Sequence, residues 1–109
     1  MKAYINNNLL LSDVKKADTF FSRLKGLLGE KSINPGEGLL LTNCSSIHCF
    51  FMKFTIDAVY LSENMEVLYK ETLQPWKIGK IVKNTKHVLE ISKNAAQNIK
   101  VGNTINFIN

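Results

Sequence analysis

Ile47-His48-Cys49-Phe50-Phe51-Met52-Lys53-Phe54-Thr55-Ile56-Asp57-Ala58-Val59-Tyr60-Leu61 is the longest apolar run in the chain. Its apolar residues fall on both parities, which fits a strand covered on both faces, or an irregular entry followed by a strand over Ile56–Leu61. It also carries His48, Lys53 and Asp57, so whatever packs against it must satisfy three polar groups.

The flanking segments set the fold class. Ser62-Glu63-Asn64 separates the run from the alternating strand Met65–Thr72, and the pair forms a hairpin. Ala3–Ser12 is a strand broken by Asn6-Asn7-Asn8, residues able to take positive φ, and Val14–Ala17 is a short extended continuation. Asp18 is placed to cap a helix, because Phe20, Phe21, Leu24, Leu27 and Leu28 recur at helical spacing and Gly29 follows as a C-cap. Gly26 inside that helix costs about 1 kcal/mol relative to alanine, which implies close approach of another backbone or a ligand.

Pro35-Gly36 and Gly38 form a loop into a strand at Leu39–Asn43, and Cys44-Ser45-Ser46 is a second polar break. From Gln74 to Thr85 the pattern dissolves around Pro75, Trp76 and Gly79, with Ile78 and Ile81 as isolated anchors; such long connections often border a site. His87–Ile91 is a short strand, Ser92 caps a short helix through Ile99, and Gly102-Asn103 turns the chain into a last strand, Thr104–Ile108. Strands outnumber helices and nothing alternates as βαβ. The expected fold is mainly β: a compact antiparallel β-sandwich or partly open barrel with one amphipathic helix and one short C-terminal helix.

A chain of 109 residues supports one core, hence a single domain over residues 1–109. The formal charge of +5 comes from 14 basic residues against 9 acidic ones, and Arg23 is the only arginine among the former. Scattered lysines lack the arginine forks of base or phosphate recognition, so the expectation is a solvated surface and no nucleic-acid partner. Met1–Ser12 is too short and polar for a signal peptide's apolar region, and no segment reaches the ~20 apolar residues of a membrane span. The chain is therefore expected to be cytoplasmic, with no membrane partner, as a monomer or weak homodimer.

Beyond these patterns, Arg23-Leu24-Lys25-Gly26-Leu27-Leu28, the Ile47–Leu61 run, Pro75-Trp76, Val88-Leu89-Glu90 and Val101-Gly102 resemble, in order and spacing, family 192 of the domains of unknown function. The resemblance covers nearly everything from Ala17 onward. It implies a small β-sandwich-like domain and carries no established activity. Cys49 stands where the family more often has threonine, Thr55 where proline is common, and Asn103 where aspartate often follows the glycine. Asn94 occupies a family glycine position, and asparagine is the residue next best able to hold a left-handed backbone.

Three constellations could carry chemistry. Arg23, Asp57 and Glu90, with His48 and Lys53 near Asp57, could form an ion-pair network fixing the first helix to the sheet, or line a pocket in which Arg23 or Lys53 holds an anion and His48 or Glu90 moves a proton. Cys44, His48, Cys49 and His87 supply a formal zinc set, but Cys49 lies in an aromatic run where a free cysteine is most simply core; no metal or cofactor is expected. Phe50, Phe51, Phe54, Tyr60 and Trp76 could form a stacking platform for a sugar or base, but such a set is more often core, as expected for the phenylalanines, whereas Trp76 could act as a pocket lid. Nucleophile-elbow, phosphate-loop and dinucleotide motifs are absent. The functional expectation is a domain binding a small molecule or peptide near the first helix, through Arg23, His48, Lys53, Asp57, Trp76 and Glu90. The alternatives are a hydrolase- or lyase-type enzyme using His48, Asp57 or Glu90, and an interaction module of a larger assembly.

Overall fold

The computed structural model describes residues 1–17, 33–45, 54–75 and 77–109. They form eight strands: β1 Lys2–Ile5, β2 Asn8–Leu11, β3 Asp13–Ala17, β4 Glu37–Leu41, β5 Ile56–Leu61, β6 Val67–Leu73, β7 His87–Ser92 and β8 Asn106–Ile108. Two sheets result, one of three strands in the order β2-β1-β8 and one of five in the order β3-β4-β7-β5-β6.

Local chemistry accounts for the first hairpin. Asn6 and Asn7 take φ of 51° and 67°, the left-handed pair that a two-residue connection between twisted strands requires. β1 therefore pairs antiparallel with β2 on one side and with β8 on the other. β5 and β6 form the expected hairpin, and β5 also pairs antiparallel with β7.

Two expectations are corrected. The sheet is not wholly antiparallel, since β3 and β4 run parallel, Lys15 opposite Leu39 and Ala17 opposite Leu41. Residues 18–36 join them, long enough for the crossover that a parallel pair needs. The short helix expected over Ser92–Ile99 is instead a succession of turns, closed by Ala95 N–H to Ser92 C=O at 3.0 Å and Ile99 N–H to Ala96 C=O at 3.1 Å. Asn94, at φ 69°, stops any helical path there, as its place at a family glycine position implies. No helix occurs among the described residues, and the helix expected over Asp18–Leu28 lies outside them.

Strand alternation gives the five-stranded sheet two apolar faces. Val14, Leu40, Val59, Leu61, Leu89 and Ile91 pack with Ala3, Leu11, Ile99 and Ile105, so this face is closed by the three-stranded sheet. Gly38 permits the approach: a Cβ there would lie 3.0 Å from a Leu11 methyl and 3.2 Å from an Ile91 methyl. The opposite face carries Ala17, Leu41, Ile56, Ala58, Tyr60, Leu73 and Val88, against which Ile33, Cys44, Phe54 and Val82 pack. All six residues of β5 are consequently buried, the two-sided burial that its double-parity apolar run implies.

Candidate functional site

Register determines which predicted residues can meet. Glu90 on β7 stands opposite Ala58 on β5 and Leu39 on β4, and Ala58 stands opposite Glu71 on β6. Leu39, Glu90, Ala58 and Glu71 thus form one row across the face opposite the three-stranded sheet, with the smallest side chain between two glutamates. Asp57 pairs with Ile91 and Thr72, and its side chain points to the other face. The structure therefore separates Asp57 from Glu90, which the sequence places in one cluster.

Each carboxylate has a different environment. Asp57 Oδ1 accepts from the Thr72 hydroxyl at 2.8 Å and Oδ2 from Ala96 N–H at 3.0 Å, while Lys70 Nζ donates to Ala96 C=O at 2.7 Å. The carboxylate thereby pins the turns after β7 to the edge of β6. The recess beside it measures 180 Å³, below the ~300 Å³ at which ligand pockets begin.

Glu71 is also satisfied. Its Oε2 accepts from the Tyr60 hydroxyl at 2.5 Å and from Lys80 N–H at 2.8 Å. Tyr60 meets Tyr69 edge to face at 5.5 Å, and Lys80 Nζ lies 5.2 Å from the Tyr69 ring centroid. Glu90, only 4% exposed, differs: its Oε2 is buried with no hydrogen-bond partner among the described residues. Burial pushes its carboxyl up to about 8. A carboxyl group protonated near neutrality can donate a hydrogen bond as well as accept one, and an arriving cation would ionise it.

Of the remaining predicted site residues, Arg23, His48, Lys53 and Trp76 lie outside the described residues. Arg23 falls in the sequence between described Ala17 and Ile33, and His48 and Lys53 between described Cys44 and Phe54; these four described residues all belong to the cluster on Glu90's face. Within the formal metal set, His48 and Cys49 are outside the described residues. His87 Nδ1 accepts from Asn43 N–H at 3.2 Å, which engages that ring lone pair. Burial, then Lys86 and Lys16, hold His87 below the usual histidine range against the opposing charge of Glu63. Among the described residues no group of three or more His, Cys, Asp or Glu side chains could hold a metal ion.

Sequence reasoning missed the Tyr60–Glu71–Lys80 contacts. Their signal was the alternation of β6, which puts Tyr69 and Glu71 on one face and Lys70 and Thr72 on the other. It also misplaced Ile78 and Ile81, which are not anchors but are 67% and 81% exposed.

Among the described residues, two sheets packed face to face, with a second apolar face that holds a carboxyl oxygen without a partner, define a mainly β fold. The chain belongs to the DUF192 family, described as uncharacterized ACR, whose profile matches residues 2–107. It is 32% identical to a UPF0127 protein of Pyrococcus horikoshii over 94 residues, 81% of this chain and 79% of that protein. To a UPF0127 protein of Thermococcus sibiricus it is 33% identical over 81 residues, 71% of this chain. It spans about half the length of such Thermococcus relatives, 53% for T. sibiricus and 52% for T. kodakarensis. A solved protein of unknown function from Novosphingobium aromaticivorans shares the fold with a TM-score of 0.75 at 18% identity, covering 86% of this chain and 74% of that one. A putative transcription regulator from Sinorhizobium meliloti does so with a TM-score of 0.72 at 14% identity, covering 85% and 79%.

Proposed function

We propose that this chain is a binding domain for a small molecule or peptide, taken on the face of the five-stranded sheet that carries Glu90. The observation supporting this is the Glu90 carboxyl group, buried among apolar side chains with Oε2 unpartnered among the described residues. A buried polar atom left unsatisfied costs about 1–3 kcal/mol, and a partner that supplies the missing donor recovers it on binding. The chemistry suits a ligand with an amide, hydroxyl or ammonium donor joined to an apolar body. Arg23, His48, Lys53 and Trp76 remain proposed contributors to the same site. Asp57 does not, because both its oxygens are engaged on the opposite face.

The test is a thermal-shift screen of metabolites and short peptides against the wild-type chain and Glu90→Gln. The expected result is a ligand that raises the wild-type Tm and fails to raise that of the folded variant. A ligand stabilising both equally would place the site elsewhere, as would binding unchanged by Trp76→Ala together with Arg23→Ala.

A further inference from the structure

Residues 77–83 read Lys-Ile-Gly-Lys-Ile-Val-Lys, alternating basic and apolar side chains in a connection between β6 and β7. The loop is held at its base. Gly79 is buried, Val82 packs on the second core cluster, Lys80 N–H donates to Glu71 Oε2 at 2.8 Å and Lys80 Nζ lies over Tyr69. Thr85 N–H closes a turn onto Val82 C=O at 3.2 Å. With Gly79 buried and Val82 packed on the core, Ile78 and Ile81 are left exposed among exposed Lys77, Lys80 and Lys83. They are the two most exposed large hydrophobic residues described, at 67% and 81%.

Single exposed apolar residues are ordinary. Two β-branched ones on a pinned loop, bracketed by exposed cations, give that loop a defined partner chemistry. We propose that this loop docks on an anionic membrane surface, Ile78 and Ile81 entering the boundary between headgroups and acyl chains while Lys77 and Lys83 pair with lipid phosphates. No membrane partner is expected from the sequence, where no span exists; docking at an interface needs only a few apolar side chains and nearby cations. Charge and area select this occupant. A second copy would bring the same lysines and another net +5, and two side chains fall far short of the ~800 Å² per partner of a stable protein interface.

The test is co-sedimentation of the full chain with phosphatidylcholine vesicles, with and without 30% phosphatidylglycerol, at low and high salt. The variants are Ile78→Asn with Ile81→Asn, and Lys77→Gln with Lys83→Gln. The expected result is binding to the anionic vesicles alone, weakened several-fold by salt and at least fivefold by either double variant, both melting as the wild type does. Absence of binding to anionic vesicles would overturn the proposal. So would binding undiminished by the isoleucine pair, which would assign it to the general lysine surface, or a dimer in velocity sedimentation that the same pair abolishes.

Discussion

Asp57 and Glu90 lie on neighbouring strands of one sheet and are each 4% exposed, yet they face opposite ways and meet opposite environments. Asp57 looks into the side closed by the second sheet and the turns after β7, where Thr72 and Ala96 each supply a donor. Glu90 looks into the other side, where its Oε2 has no partner among the described residues. Equal burial therefore says little about role. The supply of donors separates a carboxylate that holds the fold together from one that costs stability and is available to a ligand.

Removing each group should move stability in opposite directions. Asp57→Ala leaves the Ala96 N–H and the Thr72 hydroxyl without their acceptor and should destabilise by about 3–4 kcal/mol in urea unfolding. Asp57→Asn should lose no more than ~1 kcal/mol, because its amide can accept from Ala96 while donating to a Thr72 hydroxyl that has rotated. A loss below ~1 kcal/mol in the alanine variant would refute Asp57 as a clamp between β5, β6 and the following turns.

Glu90→Gln should stabilise, and the effect should depend on pH. Glu90 titrates near 4.5 in the unfolded chain and near 8 in the folded one. Below pH 4.5 both states are protonated and the group is neutral in its effect. As pH rises through 4.5 the unfolded chain ionises first, so folding loses stability until the folded carboxyl also ionises near 8. At pH 7 the loss approaches ~3 kcal/mol, taken as a ceiling from 1.36 kcal/mol per pH unit. The wild-type unfolding midpoint should fall relative to that of Glu90→Gln as pH rises from 5 to 8. Parallel pH profiles would show that Glu90 has a donor after all. A gain in stability accompanied by loss of ligand binding would be the trade-off expected of a site residue.

That contrast also marks how far the sequence could be followed. Asn6-Asn7 announces its turn because few other residues hold positive φ, and the unbroken apolar run of β5 announces burial on both faces. Apolar patterning identifies strands but not their partners. The parallel pairing of β3 with β4 therefore left no local trace, and neither did the register that sets Glu90 beside Ala58 and away from Asp57. Ser92–Ile99 imitates a helix because Ala95, Ala96 and Ile99 are spaced as on a helical face, while a single backbone angle at Asn94 decides otherwise. Ile78 and Ile81 misled for a different reason. Hydropathy assigns isoleucine inward, but the inner positions of that loop are taken by Gly79 and Val82, which no pattern of polarity singles out.

A smaller effect sharpens the comparison from the acid side. His87 stands opposite Leu61 and so shares Asp57's face, and its Nδ1 accepts from Asn43 N–H, which fixes the neutral ring with its proton on Nε2. Burial lowers its proton affinity, and Lys86 and Lys16 act in the same sense. The unfolded chain therefore takes up its proton first as pH falls below 6.5, so this group withdraws stability toward acid, the reverse of Glu90. Urea midpoints measured between pH 7 and 5 should carry a downward contribution that His87→Gln removes, since glutamine keeps an acceptor for Asn43 but does not titrate. An identical acid limb in wild type and variant would mean that the ring is as readily protonated in the fold as outside it. Otherwise the two faces of one sheet set the two ends of its pH range, the face closed by the second sheet through a histidine held neutral and the other through a carboxyl group whose Oε2 has no donor among the described residues.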